Sequence, residues 1–547
     1  MAGEVYLDGL DDPLQWEVSN TFSGGQVSNS RSILLQPNQY NKGVNIDLNL
    51  QGEATTRRGT TGLDDVVGGV STTEGVQGMF WYSTSSNEYL VAVNNKKLYS
   101  FDGVSWNNFG AAWTNASTAM NQFAQLSNKL YVCNGTTNLF SWDGTTLTDL
   151  GNAANNQPPT NSALVVEHTN RLVVVGSTGA SGLDRNTLYF SQFADGTVYD
   201  KAKWSIQIGD NDAIVAIKSW SNFNLLVFKR HSIWAVNCDP SLQLQDINGT
   251  VQYFEVKPIH RQLGCIAPLS VQQVGNDVFF LSQHGIYSIN KLLSGGSDTE
   301  IGPDLSYPIH DIIDRIPASA AAKSAAMSFG RKYMLSVPLD NDTKPTTTIV
   351  WDDALQCFVG TWTGWNASCF AYCSPASGNF LRFGTNTGGG LVKEWLDYVQ
   401  LVNETTSTYQ DSGVDIPVTF VTRGYTFGGI MNLKTASHAR FDYLNSLANS
   451  AIAVQYDRQS PVAIATVPGA GGTGIVFPLQ FPITFPAIKS YKSWVSLQGR
   501  DANPGCQFAE VKFQITTVNK KFNLISIAVA AWQDTLDMGV NAVGITS

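Results

Sequence analysis

The chain has 547 residues, of which 43% are hydrophobic, 11% aromatic and only 14% charged, with a formal charge of −10. An ordinary soluble domain carries about 25% charged residues, so this surface is unusually neutral, and the apolar share excludes disorder. The acidic balance excludes a basic nucleic-acid groove but not a chain that passes DNA without gripping it.

Residues 1–55 show no repeat. Alternating Val44, Ile46, Leu48 and Leu50 read as one strand. Met1-Ala2-Gly3-Glu4 is not a basic stretch leading into an apolar one, so no secretory leader is expected, and no apolar run predicts a membrane span. Arg57-Arg58-Gly59 follows. It reads either as a solvated turn or as a contact of Arg57 and Arg58 with an adjoining protein subunit or DNA phosphate.

Internal repetition begins next. Tyr89 to Val93 and Leu98 to Gly103 flank a polar turn. Lys129 to Cys133 and Leu139 to Gly144 repeat the arrangement. Both second strands run into Asp-Gly, a tight-turn signal because Gly accepts positive φ. Drifted hairpins follow at 171–191, 225–236, 277–289, 332–352 and 380–395. Their first strands start roughly 40 to 55 residues apart, the period of a β-propeller blade. One blade cannot bury both faces alone, whereas a ring of blades covers every face. Tyr99, Phe101, Phe140, Trp142, Trp234 and Tyr287 are expected between blades.

Tyr307 to Ile316 spaces Ile309, Ile312, Ile313 and Ile316 as one helix face between Pro308 and Pro317. Ala318 to Met327 is expected to add a turn or two. After about residue 400 the repeat stops. Runs at 416–422 and 451–456 read as strands, and Phe522 to Trp532 reads as the hairpin partner of 507–515. Residues 468–486 form a Gly- and Pro-rich apolar segment. Its prolines bar a central strand. It is expected in a core, against a neighbouring subunit, or as a membrane-touching or channel-plugging tip, with Phe477, Phe481 and Phe485 as gate or interface residues.

The fold class expected is therefore all-β. A propeller of about six to eight blades spans 56–400. A β-sandwich platform spans 401–547, joined by a strand from 1–55.

No catalytic constellation is visible. There is no phosphate-binding loop, no His-Glu-x-x-His and no nucleophile elbow. The histidines are isolated, and His231 falls in a hairpin turn. Asp210-Asn211-Asp212, Asp340-Asn341-Asp342 and Asp352-Asp353 read as turns, lacking the rest of a calcium loop. The seven cysteines are scattered. Cys369 and Cys373 have no second pair, so neither a disulfide framework nor a zinc site is expected. No metal, cofactor or enzymatic activity is expected. Ser100 to Trp106 narrowly misses the Asp-box of sialidase propellers, which is itself a structural turn. It keeps a carbohydrate-binding or glycan-cleaving propeller as the alternative, alongside a bacterial scaffold propeller.

Several weak motifs occur in order. A strand leads into Thr55-Thr56-Arg57-Arg58-Gly59-Thr60. NKLYVCNGTTNLFSWDG (128–144), NTLYFSQFADGTVYD (186–200) and LLVFKRHSIWAV (225–236) follow. HGIYSIN (284–290), LSYPIHDIID (305–314), RKYMLSVPLDND (331–342) and TIVWDDALQCFVGTWTGW (348–365) complete the series. This order resembles the β-propeller tail nozzle, tail hub or tail tubular proteins of short-tailed bacteriophages, over roughly residues 45–400 and more loosely beyond. The resemblance implies a structural virion protein made in the host cytoplasm. It implies a homo-hexameric ring below an adaptor ring that continues the DNA ejection channel and docks fibres or spikes. Double-stranded DNA would pass without tight binding, because an acidic lumen repels phosphate. The family has no catalytic residues to carry over.

Overall fold

A computed structural model gives the fold. It describes residues 14–533 except 64–66, 70–73, 111–112, 114–118, 152–155, 178–182, 210–211, 240, 242–243, 246–250, 296–303, 388, 400–402, 429–433, 445–449, 458, 468–489, 497–509 and 518–521. The chain is all-β and divides into two compact units. One comprises Thr60–Asp353 and Trp362–Tyr398. The other comprises Met1–Gly59, Ala354–Thr361 and Val399–Ser547. The expected limits of 56–400 did not foresee the excursion of Ala354–Thr361 into the second unit. No helix among the described residues is long and apolar enough to cross a membrane.

The first unit is a β-propeller. Among the described residues, seven antiparallel sheets follow one another along the chain. Blade one is Gly78–Ser83, Glu88–Asn94, Lys97–Phe101 and Trp106–Asn108. Blade two is Gln122–Leu126, Lys129–Cys133, Phe140–Trp142 and Leu147–Asp149. Blade three is Ser162–His168, Arg171–Gly176, Thr187–Gln192 and Asp195–Tyr199, and blade four is Ile214–Ser219, Asn224–Lys229, Ile233–Asn237 and Glu255–His260. Blade five has Gln272–Val274, Asp277–Ser282 and Gly285–Ser288. Blade six has Ala325–Phe329, Lys332–Val337 and Thr347–Asp352. Blade seven takes Ala367–Cys373, Phe380–Thr385 and Val392–Trp395, and its outer strand is Thr60–Gly62 from the start of the unit. There Trp395 faces Thr60 and Lys393 faces Gly62.

The ring closes because each second strand is apolar on both faces. Side chains alternate across a strand, so successive residues serve opposite neighbours. In blade one, Leu90 and Ala92 pack with Cys369 and Ala371 of blade seven. Val91 and Val93 pack with Leu130 and Val132 of blade two. Tyr131 and Cys133 then meet Leu172 and Val174 of blade three. Val173 and Val175 meet Leu225 and Val227 of blade four. Leu226 and Phe228 meet Val278 and Phe280 of blade five. Phe279 of blade five contacts Tyr333 of blade six edge-on at 5.5 Å, and Phe329 of blade six lies 5.8 Å from Tyr372 of blade seven. Each fully buried side chain of this kind contributes about 1.5–3 kcal/mol of transfer free energy. The aromatics expected between blades are buried there, except Trp234, which is partly exposed.

Asp-Gly turns end the third strands of blades one and two. Gly103 and Gly144 both adopt φ of +97°, where a side chain would be strained. Asp102 Oδ1 accepts the Val104 and Ser105 amides at 2.8 Å, and Asp143 Oδ1 accepts those of Thr145 and Thr146 at 2.9 and 2.7 Å. These amides hold both carboxyls below the ordinary carboxylate value.

The second unit is a β-sandwich. One sheet includes Leu14–Ser19, Ile46–Leu48, Ala54–Thr56, Lys434–Leu444, Ser490–Ser496 and Asn523–Gln533. The other includes Gln39–Val44, Val418–Thr422, Ser450–Tyr456, Val462–Val467 and Val511–Thr517. Val511–Thr517 buries every second residue, the pattern of a strand with one face in a core. Phe441 of the first sheet meets Phe513 of the second edge-on at 5.4 Å.

Three local expectations are corrected. Val44 to Leu50 is not one strand. Asn45 adopts φ of +57°, and the chain passes there from the second sheet to the first. Leu50 ends 68% exposed, outside the alternation. Phe522 to Trp532 is not the hairpin partner of 507–515. Val511–Thr517 pairs with Val418–Thr422 and Ser450–Tyr456, whereas Asn523–Gln533 pairs in the other sheet. The alternation of each strand was legible; the sheet it joins depends on distant partners. Finally, 307–316 yields only a 3-10 turn, Tyr307–Ile309, and one helical turn, His310–Ile313. The Ala-rich stretch holds the 3-10 turn Ala321–Lys323 and then becomes strand Ala325–Phe329, because pairing with Lys332–Val337 outweighs alanine's helix propensity.

Candidate functional site

Hairpin turns joining first to second and third to fourth strands emerge at the same end of an antiparallel blade. At that end of blades three and four lies a cavity of about 390 Å³. Phe190, Trp204, Tyr253 and Phe254 supply its aromatic wall, and Phe193 and Phe223 stand at it 61% and 42% exposed. Phe190 stacks on Phe254 at 4.3 Å, and Trp204 lies 4.9 Å from Tyr253.

The polar groups come from short turns. Thr169 and Asn170 join the first two strands of blade three, both with positive φ, of 52° and 57°. That conformation suits Asn but strains β-branched Thr by about 1–2 kcal/mol. Positive φ at both central residues is the ordinary geometry of a two-residue hairpin turn, as at Asn95 and Lys96 of blade one. Arg171 begins the next strand. Its guanidinium lies over Trp204 at 4.4 Å and donates to the Ser191 carbonyl at 2.7 Å. Burial pulls its pKa below the ordinary value. Lys203 Nζ, on an exposed side chain, lies 5.4 Å from the Trp204 ring and 5.3 Å from the Tyr253 ring. Neither cation pairs with a carboxylate among the described residues. Asp239, the acid of the lining, accepts the Ser241 amide and hydroxyl at 2.8 and 2.7 Å. Burial pushes the Cys238 thiol up to about 12, so it is neutral and a poor nucleophile.

The sequence-predicted residues lie elsewhere. Arg57 is fully buried in the sandwich unit, which corrects its assignment as a surface contact. Its guanidinium forms a bidentate pair with Asp411, one arm at 3.0 Å, and donates from Nε to Asn45 Oδ1 at 2.9 Å. A cation in that position organises the strand junction at Asn45. Arg58 is 21% exposed and pairs with Glu404 at 3.2 Å. Phe477, Phe481 and Phe485 lie outside the described residues.

His231 is exposed in its turn, with Nδ1 3.1 Å from Asp212. Asp340 pairs with Arg315 at 2.7 Å, and buried Asp352 with Arg331 at 2.9 Å. Cys369 and Cys373 are buried thiols pushed up to about 12 by desolvation, within the core between blades seven and one. No group of three or more His, Cys, Asp or Glu side chains that would hold a metal ion occurs among the described residues.

The cavity was not legible in the sequence. Its lining comes from six separate stretches, and Arg171 sits among ordinary hairpin residues. The signal present was an aromatic adjoining a cation, Lys203-Trp204, in an otherwise charge-poor chain.

No protein-family model matches the chain, and no curated protein matches it. Among solved structures, the chain is similar to one in the Crystal Structure of Mitotic Checkpoint Complex at 10% identity. That alignment covers 62% of this chain and 92% of that one, with a TM-score of 0.38. It is similar to the N-terminal Domain of Nup159 at 11% identity, covering 64% and 97%, with a TM-score of 0.34. It is also similar to the computationally designed Ika8 protein at 11% identity, covering 60% and 98%, with a TM-score of 0.32.

Proposed function

We propose that this chain is a structural, non-enzymatic virion protein of a short-tailed bacteriophage. Six copies form a tail nozzle below the adaptor ring, continue the DNA ejection channel and dock fibres or spikes. The observation that supports this reading is the ordered series of weak motifs. They begin at the strand junction of Arg57 and run through successive hairpins to Trp365. Composition is consistent with it. A charge of −10 in a chain with only 14% charged residues suits subunit packing and lets phosphate pass without adhesion.

The reading is tested by locating the chain in purified particles. Antibody labelling at the free end of the tail, in particles also containing a portal and an adaptor, is the expected result. Absence of the chain from the particles would overturn it. A channel lined by Lys and Arg would overturn the electrostatic part.

A further inference from the structure

The cavity between blades three and four has a composition unlike the rest of the chain. Charged residues are scarce and the acids outnumber the bases, 44 against 34. Yet Arg171 in the lining and Lys203 just outside it gather over the Trp204 and Tyr253 rings with no carboxylate paired to either among the described residues, while the one acid of the lining, Asp239, accepts the Ser241 amide and hydroxyl. Arg171 spends one N–H on the Ser191 carbonyl. A guanidinium has five donors in a fixed fork that matches a carboxylate. The cation is thus held rigidly by a ring and a carbonyl, with donors left over.

Around it the cavity is apolar and partly open. Its volume of about 390 Å³ falls at the small-ligand end of the usual range. The exposed amide-bearing residues Asn170 and Asn222 at its edge add uncharged hydrogen-bonding groups. A ligand that satisfies these features has an apolar ring face for the aromatic wall and one carboxylate for the guanidinium.

We propose that this cavity binds a carboxylate-bearing ring, of which the two chemical sources are an acidic sugar unit of a polysaccharide and a small aromatic acid. The carboxylate pairs with Arg171 and is steered by Lys203. The ring packs against Tyr253 and Phe254. The site is independent of the nozzle reading: a monomer that binds this ligand would contradict the nozzle and keep the site, and a hexamer that does not would do the reverse.

The test is calorimetric titration of the full chain with three probes: digalacturonate, its neutral counterpart galactobiose, and 4-hydroxybenzoate. Binding of digalacturonate over galactobiose supports the site and identifies a glycan. Binding of 4-hydroxybenzoate alone supports it and identifies a small acid. Equal binding of galactobiose, or no binding of any probe at millimolar concentration, overturns it. Arg171→Gln is expected to weaken binding about tenfold or more, the size of a lost charge-assisted hydrogen bond. Lys203→Gln, on an exposed side chain, is expected to weaken it less without altering the melting temperature. Unchanged affinity in both variants would overturn the proposal.

Discussion

The propeller and the sandwich are built from the same kinds of strand but by opposite routes. Among the described residues each blade is made from strands near in sequence, interrupted in blade four by the hairpin Leu244–Gln245 and Val251–Gln252, and the closing strand Thr60–Gly62 reaches across the unit. The sandwich pairs Leu14 with Trp532 and Val44 with Thr419. Local pairing loses little loop entropy before contacts reward it, whereas distant pairing loses more and forms more slowly. The propeller's stability is therefore spread over many similar interfaces, while the sandwich depends on a few junctions where distant segments meet.

Arg57 sits at one of those junctions. Replacing it with Met leaves Asp411 buried without its cation. The expected cost is about 3–5 kcal/mol. Hydrogen exchange should then show lost protection in Gln39–Val44 and Val418–Thr422, with blades one to six unchanged. Equal loss in the blades would break the contrast.

Leu226→Ala probes the distributed side. Leu226 is fully buried between blades four and five. The cavity left should cost about 2–5 kcal/mol, read by chemical denaturation. Its protection loss should centre on blades four and five. A loss confined to the sandwich would refute the assignment.

The smallest expected effect comes from the Asp-Gly turns. Backbone amides lower the folded pKa of Asp143 below 3.8. Such a group stabilises the fold at pH values above its unfolded pKa and stops doing so as the pH falls through its folded pKa. Asp143→Asn should therefore flatten the acid side of the stability curve below about pH 4. Its loss at neutral pH should be about 1 kcal/mol or less, since the turn is exposed. An unchanged acid limb would show that the carboxylate is not the group that titrates there.

The same contrast explains what the sequence disclosed. Blades were legible because hairpins such as Lys129 to Gly144 carry strand, turn and strand within one short window. The sandwich was legible only as strand-like alternation. Nothing near Asn45 announces that Gln39–Val44 and Ile46–Leu48 enter different sheets; the reason is an Asn at positive φ held by Arg57 and by the Pro417 carbonyl. Arg57 itself drew attention for its charge, and its chemistry proved internal. The cavity was hidden for the reason the sandwich was: Arg171, Trp204 and Tyr253 meet only after two blades pack. Burial patterns report which residues are inside. They do not report which separated residues share a concavity.

The nozzle assignment is tested most directly by the mass of the assembly. If the proposal holds, light scattering of the purified chain mixed with the proposed adaptor should show six copies of the 59.3 kDa chain per ring. End-on images should show sixfold symmetry. A chain that stays monomeric in the presence of the adaptor would contradict the account.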